Sequence, residues 1–156
     1  MTKDVIVFLE LTPVYWGDRF PAARILFNEI ELYNGTITET LVISRCLPCQ
    51  DYNRLSIEIY GKTDDDCNLG KDKAIVVSKL GIEGFFYDSF KWAAKYDPMY
   101  SEGYYKYASE NSLKVEPTIS SSYLGFNGLW YLDFPYPVFT WIHELESMGW
   151  IHGVNI

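Results

Sequence analysis

Residues 54–60, RLSIEIY, decide the fold. Leu55, Ile57 and Ile59 fall on one face of an extended chain, and Ser56, Glu58 and Tyr60 fall on the other. A period of two is the mark of a half-buried β-strand. The same alternation or a β-branched run recurs in DVIVFLEL (4–11), ARILFNEIELYNGTITETLVIS (23–44), NRLSIEIY (53–60), AIVVSKLGIEGFFY (74–87), GLWYLDF (128–134) and PVFTWI (137–142). Asn34-Gly35 is the best short hairpin turn, because both residues tolerate positive φ and match strand twist. FNEI (27–30) marks a tighter turn or bulge before it, and LPCQDY (47–52) a third connection.

Helix is scarce. YDSFKWAAKY (87–96) predicts one or two turns capped by Asp88 or Ser89, and TWIHELESMGW (140–150) a short helix ended by Gly149. From Asp97 to Ser122 the chain is rich in Tyr, Ser and Glu with weak periodicity, which reads as a long loop. Seven or so short strands without intervening helices predict an all-β fold. The expected form is a single antiparallel β-sandwich over residues 1–156, jelly-roll-like, with one or two short helices and a long Tyr-rich loop. Trp130, Trp141 and Phe139 are expected as core plugs.

Composition narrows the function. The chain has 156 residues, enough to bury a core without disulfide staples. Its net charge of −8 argues against nucleic acid, which demands a surplus of Lys and Arg, and no basic run suits an anionic membrane. MTKDVIVFLELTP (1–13) is too short and too interrupted for a signal peptide or a span, so folding in a reducing cytosol is expected. The 13 Tyr and 5 Trp exceed what one small core needs, and such rings suit interfaces and sugar stacking.

The cysteines offer little. Cys46, Cys49 and Cys67 are an odd count, and CLPC (46–49) runs on into strand where a redox dithiol would need a helix. Four zinc ligands cannot be assembled nearby.

GKTDDDCNLGKDK (61–73) is the most charged stretch. It is no phosphate loop, since Ser56 stands where the first Gly is needed and strand precedes the Lys. It is no EF-hand, since Leu69 replaces the turn Gly and Ile75 the bidentate Glu. Two readings stay open. Asp64, Asp66, Asn68 and Asp72 can gather oxygen ligands for calcium in a β-connection, or the loop is a solvated turn whose charges discourage edge pairing. Catalysis is not expected: His143 and His152 have no partner motif, and Asp133 with Glu144 is an unremarkable acid pair.

Three stretches, Pro21 with RILFN, Gly61-Lys62 with TDDDCNLGKDKAIVVSKLGIEG, and YLGFNGLWYLDFPYPVFTWI (123–142), together resemble small β-sandwich proteins of tailed bacteriophages. That family is in turn similar to calcium-dependent carbohydrate-binding modules, whose metal loop lies in a β-connection. The resemblance implies a non-enzymatic virion protein, made in the host cytoplasm, that decorates capsid or tail, contacts other virion proteins, forms homo-oligomers and can bind cell-surface glycan. The alternatives are a carbohydrate-binding module outside a virion, or a small acidic inhibitor of a basic enzyme. Tyr100, Tyr104, Tyr105 and Tyr107 are the expected ligand or partner contacts.

Overall fold

The computed structural model describes residues 3–63, 66 and 72–154, with side chains through Glu146. Two antiparallel sheets pack face to face. One has the order β4-β1-β6-β8, the other β3-β2-β5-β9-β7. In chain order the strands are β1 (Lys3–Val14), β2 (Ala22–Phe27), β3 (Ile30–Thr36), β4 (Leu41–Cys49), β5 (Tyr52–Tyr60), β6 (Ala74–Ile82), β7 (Lys95–Pro98), β8 (Tyr123–Leu124) and β9 (Gly128–Pro135). Helices α1 (Asp88–Ala93), α2 (Glu102–Glu110) and α3 (Val138–Val154) lie between or after them.

The alternation read from the sequence is what builds the core. Val5, Val7, Leu9 and Leu11 of β1 join Leu55, Ile57 and Ile59 of β5 and Trp130, Leu132 and Phe134 of β9 in one buried apolar interior. A bulge between Glu10 and Leu11 of β1 leaves Ser78 of β6 without a register partner, so Val77 and Leu80 are both buried although they are three residues apart.

Several local expectations are corrected. The two-residue hairpin turn is Asn28-Glu29, within the FNEI stretch expected to turn, whereas Asn34-Gly35 lies inside β3, paired with Arg24 and Ala23. Asn28 wins because its environment completes it: at φ 54° its side chain accepts from the Arg54 amide at 2.9 Å and donates to Asn53 at 3.1 Å. Leu47, Pro48 and Cys49 extend β4, so that connection shrinks to Gln50-Asp51. Residues 138–142 begin α3 instead of forming an edge strand, since Val138, Trp141, Ile142 and Leu145 meet the core at helical spacing. α3 also runs past Gly149. Phe139 is 59% exposed and is no core plug, whereas Trp130 is buried and Trp141 half-buried. At α1 the capping position is Tyr87, with Asp88 in the first turn. The Tyr-rich stretch takes in the end of β7 and all of α2 and is not one long loop.

Cys46 and Cys49 both sit in β4, Cys46 exposed and Cys49 half-buried against the core. Three strand residues span roughly 10 Å and turn the two thiols to opposite faces, beyond the reach of a disulfide. Cys67 lies outside the described residues.

Candidate functional site

The site forms where the two stretches singled out in the sequence meet. α2 starts because Ser101 caps it, its hydroxyl accepting from the Tyr104 amide at 3.1 Å. That turn stacks Tyr100 on Tyr104, with ring centroids 5.0 Å apart and planes 15° apart. Both rings meet Phe126 at about 70°, at 4.9 and 5.1 Å. Phe126 is pinned by Tyr96, whose hydroxyl accepts from the Phe126 amide at 2.9 Å and donates to its carbonyl. Burial pushes the Tyr96 phenol up to about 12, so it stays a neutral donor at any physiological pH.

On the opposite wall stand the two ends of the 61–73 stretch. The Lys62 amide donates to Asn127 Oδ1 and the Lys62 carbonyl accepts from Asn127 Nδ2, both at 2.9 Å. This reciprocal pair fixes the backbone as a strand partner would. Lys62 Nζ then reaches Asp72 Oδ1 at 2.6 Å and the Gly125 carbonyl, and lies 5.6 Å from the Phe126 ring centre. Tyr123 donates its hydroxyl to Asp72 Oδ2 at 2.5 Å. Burial raises the Asp72 carboxyl, but Lys62, Tyr123 and the Lys73 amide outweigh it and hold the group below its ordinary value.

Between the walls lies an open cleft of about 390 Å³, lined by Tyr104, Phe126, Tyr123, Lys62, Asp72 and Asn127 among others. Rings supply flat apolar faces, and an ammonium, a carboxylate and phenols supply hydrogen bonds beside them. The Tyr104 hydroxyl has no hydrogen-bond partner among the described residues. This arrangement can hold a small polar molecule that has an apolar face.

The four tyrosines expected as contacts divide. Tyr104 lines the cleft, and Tyr100 backs it while donating to the Glu116 carbonyl at 2.9 Å. Tyr105 packs edge-on against Tyr100, and both Tyr105 and Tyr107 are exposed on α2. Of the proposed calcium ligands, Asp64 and Asn68 lie outside the described residues. Asp66 is buried, with Arg19 at 2.9 Å on one oxygen and the Thr63 amide at 2.7 Å and Lys73 at 3.4 Å on the other. Burial alone would raise its pKa, yet the Thr63 amide, Arg19 and Lys73 hold it at about 2. Its carbonyl accepts from Trp16 at 2.7 Å. Asp66 therefore ties the connection to the 16–19 turn, and Asp72 serves the cleft. Each of these two carboxylates is ion-paired with a lysine, Asp66 with Lys73 and Asp72 with Lys62. Among the described residues no three His, Cys, Asp or Glu side chains gather as metal ligands.

Asp133 is held in a two-pronged pair with Arg54, at 2.6 and 2.9 Å, with both side chains exposed. Tyr96, Phe126, Asn127 and Tyr123 are site residues that the sequence did not single out, and Lys62 stood out only as part of the charged stretch. The signal for Phe126 and Asn127 was present in LGFNG (124–128), which reads as a turn until its neighbours are known.

Comparison with protein-family models and with curated proteins gave no match. Among solved structures, one described as "vCBM60 in complex with galactobiose" superposes on 83% of this chain and 97% of its own, with 8% identity and a TM-score of 0.49.

Proposed function

We propose that this chain is a non-catalytic carbohydrate-binding β-sandwich whose ligand enters the cleft between α2 and the 61–73 connection. One observation carries the reading: the Tyr104 and Phe126 rings stand in the same open cleft as the Lys62–Asp72–Tyr123 hydrogen-bond chain. A pyranose has an apolar C–H face and an equatorial rim of hydroxyls, and needs both kinds of wall. The polar groups are braced by one another, so they are pre-set for a ligand and lose little freedom on binding. Binding of this kind requires no nucleophile or acid–base pair.

Affinity electrophoresis through gels containing soluble polysaccharides, followed by calorimetry on the retarding one, tests it. Tyr104→Ala is expected to weaken binding by about tenfold or more, the effect of removing one stacked ring, of order 1–2 kcal/mol. Unchanged affinity in a folded Tyr104→Ala protein sinks the proposal. The virion setting and the homo-oligomer belong to the same proposal and rest on the sequence resemblance. Co-sedimentation with intact phage particles decides the first, and light scattering on the purified chain decides the second.

A further inference from the structure

A second cleft, of about 450 Å³, lies beside the first and is lined by Glu58, Tyr60, Gly61, Asp97, Gly128 and Leu129. The two share a wall, Met99 and Asn127, which line both. That wall is low. The Met99 amide is held by the Asn127 carbonyl at 2.7 Å, but Met99 is 71% exposed, and an unbranched thioether swings aside readily. The floor of the second cleft is backbone: Gly128 has φ 151°, and a Cβ there would stand 2.3 Å from the Asp97 carbonyl. Tyr60 forms a flank, with its hydroxyl anchored on Asn34 at 2.8 Å.

Resting on the reading of the first cleft as a glycan site, we infer that the ligand is an uncharged oligosaccharide, whose further units pass over Met99 into this second cleft. Each cleft alone is at the small end of ligand pockets, about 300–1,000 Å³. Joined, they make a path for a chain of sugars and not a cup for one. Charge selects among such chains. Glu58 and Asp97 are the charged side chains of the second lining, both acidic. Asp97 accepts from Thr118 at 2.6 Å, while Glu58 has no partner among the described residues and is open to sugar hydroxyls. A uronate or sulfated unit would meet two like charges in that lining, on a chain whose net charge is −8.

The test is isothermal calorimetry on the full chain with the β-1,4-linked dimers and hexamers of glucose, xylose and galactose, and with hexagalacturonate. For a neutral series that binds, the hexamer is expected to bind about tenfold tighter than its dimer. Tyr60→Ala should collapse that ratio towards one while leaving the dimer within about twofold, which also shows the variant to be folded. Hexagalacturonate should bind more weakly than every neutral hexamer that binds. Equal affinities for dimer and hexamer, or a Tyr60→Ala loss shared equally by both, overturns the second cleft and leaves the first standing. Preferred binding of hexagalacturonate overturns the charge selection. If no neutral saccharide binds, the reading of the first cleft falls and takes this inference with it.

Discussion

Asp66 is a carboxylate with 2% of its surface exposed, and its pKa of about 2 against an ordinary 3.8 is a statement about stability. Its folded pKa is the lower one. Its contribution is therefore complete above the unfolded value and is lost as pH falls through the folded one. A depression of just under two units corresponds to about 2 kcal/mol at pH 7, of which about half remains at pH 3. Asp66→Asn keeps the shape and removes the charge, leaving Arg19 and Lys73 without their shared anion. At pH 7 the variant should be about 2 kcal/mol less stable, which for a domain of this size is about 4–8 °C in Tm. Urea unfolding of both proteins at pH 7 and pH 3 measures the gap and its change. A variant as stable as the wild type at pH 7 refutes the reasoning, and so does a gap that is no smaller at pH 3.

Other outcomes follow from the same geometry. Gly128→Ala should destabilise by several kcal/mol or block folding, because the new Cβ meets the Asp97 carbonyl at 2.3 Å where β7 joins β9; thermal unfolding reads this directly. Asn28→Ala removes the side chain that joins the β2–β3 turn to Arg54 and Asn53, and should cost about 1–3 kcal/mol in urea unfolding with unchanged m. Calcium at about 100 times the Kd of a real site would add about 2.7 kcal/mol. With Asp66 and Asp72 already lysine-paired, calorimetric scans with calcium and with a chelator should coincide. A calcium-dependent rise in Tm that Asp66→Ala abolishes would make the 61–73 connection a metal site.

The strands were legible because a half-buried strand writes its burial into a period of two. Leu55, Ile57 and Ile59 needed no neighbours to declare their face. Competition between local signals was harder to read. Asn34-Gly35 is the stronger turn dipeptide by propensity, but Asn28-Glu29 receives the bonds to β5, and tertiary bonds outweigh a modest local turn preference. Residues 138–142 carry β-branched and aromatic side chains, which favour strand locally. The helical spacing of Val138, Trp141, Ile142 and Leu145 emerges only when the window is lengthened.

The candidate site was half visible. The Tyr-rich stretch and the charged loop could each be marked as unusual, and Tyr104 and Asp72 do meet in one cleft. That they meet depends on Asn127 clasping Lys62 across 65 positions, a pairing no window of sequence contains. Tyr96 was hidden for a different reason. Set between Lys95 and Asp97 it carries no local sign of its role, and its hydroxyl shows its use only through the amide and carbonyl of Phe126.

The position of β1 bears on how such a chain is made. It lies inside its sheet, between β4 and β6. Its second partner, β6, starts at Ala74, some sixty residues after β1 ends at Val14. At roughly 5–20 residues per second on the ribosome, that gap is a wait of about 3–12 s. During it, Val5, Val7, Leu9 and Leu11 belong to a strand with an open edge and an uncovered apolar face. A nascent chain in that state is a client for holding chaperones, and crowding many of them together invites edge-to-edge pairing before the sheet can close.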